Sequence, residues 1–228
     1  MINSKNIENF WTRGDIFSRV HQAMLESGLA NKDLEIEDLF PIDQYHARGI
    51  AATVDLGKRM PISENQKIID IGCGLGGPAR YFAKQFKCFI TGIDITPSFV
   101  QIGNEFNKLT TMTNKVELLV GNGEVLDFDN ETFDGGYSQH VTMNISDRIK
   151  FFSEAFRVLK VGGRFLCLEF SKVDNELINF IYKKYSKTIP LIGKYIVGNS
   201  EPYEYLIKSI DKFHNQKKLV ELMQNNNF

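Results

Sequence analysis

Cysteine is scarce in this chain. Three occur in 228 residues, Cys73, Cys88 and Cys167, an odd number with no Cys-x-x-Cys pair. That suggests neither a disulfide framework nor a zinc site, so the three read as reduced thiols in or near a core. An excess of either charge is missing too: Lys+Arg 27 stand against Asp+Glu 28, a formal net charge of -1. No global field therefore draws the chain to nucleic acid or to an anionic membrane. No apolar run approaches the roughly 20 residues of a membrane span. The start, Met1-Ile2-Asn3-Ser4-Lys5, leads into polar sequence rather than a secretion-signal core. A soluble, cytoplasmic protein is expected. Internal repeats are absent, and low complexity is confined to the asparagine run at 225–227.

What is present is an ordinary globular composition, 43% hydrophobic, long enough for one sizeable core with additions at either end. Phe17, Val20, Met24 and Leu25 recur at helical spacing, and Ala47, Ile50, Ala51 and Val54 do so again after Pro41. From Lys67 the texture changes to short apolar runs, predicting five strands at 67–71, 88–94, 116–120, 133–138 and 164–170. Helical patterns alternate with them. One spans 78–86. Another opens at Thr96-Pro97 with Thr96 as N-cap and carries Phe99, Ile102, Phe106 and Leu109 on one face. A third, capped by Ser146, carries Ile149, Phe152, Phe156 and Leu159 before Val161-Gly162-Gly163 turns the chain. This alternation predicts an α/β fold with a doubly wound, mostly parallel sheet and a ligand crevice at the carboxyl ends of its strands. After Phe170 only helical patterns follow, with Leu177, Phe180, Ile181 and Tyr185 on one face and Leu219, Leu222 and Met223 on another. The expected organisation is a helical cap over 1–60, a core over 61–170 and a helical segment over 171–228.

The most informative stretch is Ile68-Ile69-Asp70-Ile71-Gly72-Cys73-Gly74-Leu75-Gly76-Gly77. Glycines 72, 74 and 77 fit G-x-G-x-x-G, which lets backbone approach a ligand and opens a helix beside it. Alone, the spacing is also that of a tight turn packing helix on strand. Asp70 sharpens it, because a carboxylate there would repel a pyrophosphate and attract an ammonium group such as that of S-adenosylmethionine. Asp94, at the end of the second strand, stands where an acid accepts from ribose hydroxyls; read by itself it is a strand-end turn residue. Asn122, in Gly121-Asn122-Gly123-Glu124 after the third strand, can both donate and accept at a base edge, or simply form an Asn-Gly turn. Gln139 and His140 follow the fourth strand and offer an amide and an imidazole for positioning a substrate or taking its proton, although a lone histidine is more often structural. Asp43-Gln44-Tyr45-His46 precedes a helix that Asp43 would cap; Tyr45 is a candidate to lie near a sulfonium by cation–π attraction. Tyr182-Lys183-Lys184-Tyr185-Ser186-Lys187 mixes basic and aromatic residues, either a solvated helix face or a contact for a membrane surface or nucleic acid.

Over roughly residues 43–170 the order of these motifs resembles the class I S-adenosylmethionine-dependent methyltransferases. The resemblance implies that Asp70, Gly72 and Gly74 hold the methionine end, Asp94 the ribose, and Asn122 with Gly123 the adenine. Tyr45, Cys73, Ile95, Glu124 and Gln139 complete the implied cofactor set. "FPIDQYHARG", "IDIGCGLGGPARYFA", "TGIDITPSFV" and "YSQHVTMNISD" look like small-molecule methyltransferases with the type 11 methyltransferase domain, whereas "VLKVGGRFLCLEFSKV" onward is similar to the ubiquinone/menaquinone biosynthesis C-methyltransferases. The usual seven-stranded sheet of the class would lack its last two strands here, leaving the fifth at an edge for a partner chain, the helical tail or a second copy to cover. The implied activity is methyl transfer from S-adenosylmethionine to a small acceptor, without a metal. His140 would be the base, and Gln139 and Asn144 would orient the acceptor. No nucleic-acid partner is expected, and membrane-surface contact only with a quinone-precursor acceptor. The rival readings are a nicotinamide-dependent oxidoreductase and a cofactor-binding chain without turnover.

Overall fold

The structure, a computed structural model, describes residues 22, 24–26, 28, 34–44, 46–171, 175–190 and 200–228. Phe17, Val20 and Tyr45 lie outside the described residues. Strands β1 (Lys67–Ile71), β2 (Phe89–Asp94), β3 (Val116–Val120), β4 (Phe133–Gln139) and β5 (Leu159–Leu168) form one parallel sheet in the order β3-β2-β1-β4-β5. The chain steps outward from β1 to β3, then returns across β1 to lay down β4, so the order reverses between β1 and β4. A ligand crevice belongs at the carboxyl ends of that pair.

The texture of β1 explains its central place. Four of its five residues are buried, as a strand covered on both faces requires. Ile68 packs with Phe82, Ala79 and Ile90 on one face, while Ile69 and Ile71 pack with Phe151, Phe152 and Phe165 on the other. The first face is covered by α2 (Ile50–Gly57), α3 (Gly77–Phe86) and α4 (Pro97–Leu109), the second by α5 (Arg148–Val158). Ahead of them, α1 (Ile36–Asp43) packs Leu39 against Leu75, Ile102 and Phe106. Beyond β5 come α6 (Glu176–Ser186), α7 (Glu201–Lys212) and α8 (Gln216–Gln224). Leu219, Leu222 and Met223 of α8 close the second face, and Phe228 sets its ring 5.7 Å from that of Phe165.

Several local expectations need correction. Asp147, not Ser146, caps α5, its carboxylate accepting from Lys150 N at 3.0 Å. The buried face of α5 is Phe151, Phe152, Ala155 and Val158, while Ile149 and Phe156 are exposed. The adjacent phenylalanines decide this: both turn inward, and the stripe runs between them, with Phe156 left to meet Phe228 edge-on at 5.5 Å. Leu159 leaves the helix and starts β5. Val161-Gly162-Gly163 is no helix stop but an irregularity inside that strand, where the register slips between Phe133 and Gly135. Leu109 ends α4 half-exposed, beyond the reach of the sheet. Thr96 stands at the N-cap of α4 without a side-chain bond to the helix. Asp43 does not cap the helix that follows. It is the last residue of α1, and Gly49 precedes α2.

Candidate active site

Where β1 ends, Gly72 takes φ +89° and donates its N–H to Ile93 O at 2.7 Å. A Cβ at this position would overlap the Val141 side chain, so the turn after β1 touches the turn after β4 only because residue 72 has none. Gly74, at φ +54°, faces open space within 4 Å of where its Cβ would stand. Below lies a cavity of about 880 Å³.

Two carboxylates form its polar floor. Asp70, 2% exposed, accepts from the Tyr137 hydroxyl at 2.8 Å, the two side chains sharing a face because Asp70 and Tyr137 are register partners on β1 and β4. Burial pushes its carboxyl up to about 7, and Asp94 adds to the rise. Asp94 accepts from Gly74 N and Thr96 N, both at 2.9 Å, and burial raises it as well. Asp94 therefore makes the strand-end turn and ties it to the glycine loop, while still lining the cavity.

Gly72, Cys73, Gly74, Ile95, Asn122, Gly123, Glu124, Gln139, His140 and Asn144 also line this cavity. Asn122 Oδ1 accepts from Glu124 N at 2.9 Å, the bond of an Asx turn. Glu124 reaches away to α5, its Oε1 accepting from Ser146 N, the Ser146 hydroxyl and Asp147 N at 3.0, 2.6 and 2.9 Å. Asn144 accepts from the Tyr205 hydroxyl of α7 at 2.9 Å. Among the described residues lining the cavity there is no lysine or arginine.

At the opposite end Gln139 binds back to the segment before α2. Its Nε2 lies 3.1 Å from the His46 ring, and Thr53 Oγ1 donates to Gln44 Oε1 at 2.7 Å beside them. His140 adopts φ +58° and is held by its N–H to Leu168 O at 2.7 Å. Its ring lies 4.6 Å from Phe170 and 5.7 Å from His46, and its buried Nδ1 has no hydrogen-bond partner. Burial, with His46 beside it, lowers its pKa to about 4, so the imidazole is neutral near pH 7. The turn after it is anchored by Glu169, which accepts from Val141 N and Thr142 N. Burial pushes the Glu169 carboxyl up to about 7 despite those donors.

Sequence reasoning missed His46 as a neighbour of His140, Phe170 as its stacking partner, and Tyr203, Tyr205 and Leu206 of α7 as cavity wall. It also missed Arg80. This fully buried guanidinium donates to Asp43 at 3.1 Å, Gly103 O at 3.0 Å, Asn107 at 2.8 Å and Leu75 O, fastening α1 to the glycine turn. Nothing in its spacing separates it from a surface arginine of α3.

Comparison with known proteins bears on what such a cavity serves. The solved YcgJ protein of Bacillus subtilis superposes with a TM-score of 0.61 at 20% identity, covering 78% of this chain and 68% of its own. Phosphoethanolamine N-methyltransferase 2 of Haemonchus contortus, solved with S-adenosyl-L-methionine, gives 0.63 at 22% identity over 85% and 40%. These likenesses establish the fold. The ubiquinone/menaquinone biosynthesis C-methyltransferase UbiE of Bartonella bacilliformis is 36% identical over 159 residues, 68% of this chain and 61% of its own length. That of Bartonella quintana is 36% identical over 174 residues, 74% and 66%. The chain thus spans less than two thirds of these relatives. The profile of the ubiE/COQ5 methyltransferase family matches residues 44–228, across the glycine turn, the His140 turn and the tail alike, and the chain belongs to that family.

Proposed function

We propose that the chain is an S-adenosylmethionine-dependent C-methyltransferase whose acceptor is a small aromatic ring of the quinol-precursor class. The observation that carries the reading is the cavity floor: Asp70 buried and Asp94 partly buried beneath the glycine turn, with no lysine or arginine among the described lining residues. Such a floor suits a ligand bearing positive charge and repels the pyrophosphate of a dinucleotide. The residues fit the donor. Asp70 would take its ammonium group, Asp94 its ribose hydroxyls, and the Asn122-Gly123 turn its adenine, with Cys73, Gly74 and Ile95 against its flanks. When bound, the donor supplies a methyl group already activated on a sulfonium.

The chain's own tasks are then alignment, exclusion of water and removal of one proton. Phe170, Met143 and Leu206 give the acceptor end an apolar wall. Gln139 and Asn144 would orient the ring. Neutral His140, with Nδ1 unpartnered, would take the proton that leaves the ring carbon as the new carbon–carbon bond forms. Residues 1–60 and 171–228 would act as covers over the 61–170 core. β5 ends the sheet, with no described strand on its outer side, and a second copy there would pair with that edge.

Calorimetric titration with S-adenosylhomocysteine and with NAD tests the donor, binding being expected for the first alone. Transfer of labelled methyl to a demethylated quinol precursor, with small amines as alternatives, tests the acceptor. Binding of NAD alone would overturn the reading, and binding of S-adenosylhomocysteine without transfer to any acceptor would leave a cofactor-binding protein.

A further inference from the structure

Helix α6 carries an apolar face that is left exposed among the described residues. Leu177, Ile178, Phe180, Ile181 and Tyr185 are each more than half exposed, at 69, 54, 58, 57 and 60%. At about 100° per residue they occupy one arc of the helix, and Ser186, the residue of α6 that is buried, lies outside it. Three ammonium groups, Lys183, Lys184 and Lys187, border or interrupt this arc against one carboxylate, Glu176. None of the three has an ion-pair partner among the described residues. Lys184 sets its ammonium 5.5 Å from the Phe180 ring centroid, amid the apolar arc.

We infer that α6 docks the protein on the surface of an anionic lipid bilayer, its apolar arc in the headgroup boundary and its lysines on lipid phosphates. Charge decides the occupant. Lysine is depleted from the cores of protein–protein interfaces. A two-fold contact of this face with a second copy would bring six ammonium groups together against two carboxylates. An anionic lipid surface meets both needs, accepting apolar rings and unpaired lysines side by side. The placement also suits the acceptor proposed above, and in this respect it rests on the methyltransferase reading: Phe170 lines the cavity, and at most about 18 Å of extended chain separates it from Asn175, the N-cap of α6.

Co-sedimentation of the full chain with vesicles tests the inference. The chain should pellet with phosphatidylcholine vesicles containing about one third phosphatidylglycerol and stay in solution with phosphatidylcholine alone. Lys183→Gln, Lys184→Gln and Lys187→Gln together should weaken the partition on the order of a hundredfold, near fivefold for each lysine. Leu177→Ser with Ile181→Ser should return it to the neutral-vesicle level. Both variants should keep wild-type far-UV circular dichroism and S-adenosylhomocysteine affinity, which separates lost docking from a lost fold. A wild-type chain left in the supernatant with anionic vesicles overturns the inference. So do variants that pellet like wild type, or lipid-free self-association that Leu177→Ser with Ile181→Ser abolishes. Docking by a chain that methylates nothing would uphold the inference while sinking the methyltransferase reading.

Discussion

A carboxylate buried as deeply as Asp70, held by one phenol hydroxyl, keeps its proton until about pH 7. An ammonium group arriving beside it favours the ionised form, so binding expels that proton wherever it is still present. Affinity for S-adenosylhomocysteine should therefore rise between about pH 6 and about pH 7 and level off above, with proton release visible in calorimetry across buffers of different ionisation enthalpy. Asp70→Asn should weaken binding by roughly tenfold or more and abolish that slope. His140 behaves differently. With its pKa near 4 it contributes no inflection to the rate profile between about pH 6 and about pH 8. Replacing it by Ala should lower kcat roughly a hundredfold with the cofactor affinity intact. Unchanged kcat in a steady-state assay would remove the imidazole from the reaction. Asp70 and its glycines were legible in the sequence because their chemistry is local, whereas the His46–His140–Phe170 stack was not, since no pattern announces which distant rings a topology brings together.

Arg80 and Glu169 act between elements. Removing the guanidinium would leave the Asp43 carboxylate buried and unpaired, a loss of about 3–5 kcal/mol. Thermal denaturation of Arg80→Met should fall by roughly 10 °C or more. Arg80→Lys should rescue little, since one ammonium cannot reach four acceptors spread over Asp43, Leu75, Gly103 and Asn107. Glu169 has a folded-state pKa of about 7, above the value of about 4.3 for an open chain. The stability that this contributes is full below about pH 4 and is lost as pH rises through 7. The urea midpoint should accordingly decline from about pH 5 to about pH 8. Glu169→Gln, whose amide oxygen still accepts from Val141 and Thr142, should flatten the decline. At this scale the first four strands were readable almost to the residue, since a continuous apolar run flanked by glycine or polar residues has few other homes, whereas the fifth, expected at 164–170, runs Leu159–Leu168. The faces of helices were less so. In α5 the Phe151–Phe152 pair made two stripes of equal promise, and only the sheet beneath chose between them. The strand at Leu159 was hidden behind Gly162, whose φ of +81° reads as a helix stop but here serves a slip of register.

For the molecule as a whole, the cavity is walled by segments far apart in the chain: the glycine turn, the His140 turn and α7. A ligand that joins them should stabilise all three together. At a hundred times its Kd, S-adenosylhomocysteine should add about 2.7 kcal/mol, read as a rise in melting temperature. If the open side of β5 is where copies meet, sedimentation velocity should show a dimer that a charged residue at Val161, now 92% exposed, disrupts. The parallel order of the sheet followed from the alternation of strand and helix. That α7 would close the cavity did not, because a helix beyond the last strand can dock on several faces and no strand pairing steers it.

The contact between Gly72 and Val141 has a meaning in genetic terms. Gly72→Ala would drive a methyl group into the Val141 side chain and displace the turn that carries His140. The harm should thus be conditional on the partner. Val141→Ala, mild alone, should act as a second-site suppressor of Gly72→Ala, restoring part of the lost turnover but not the backbone strain of alanine at φ +89°. The cofactor turn and the acceptor turn are, in that sense, one epistatic unit.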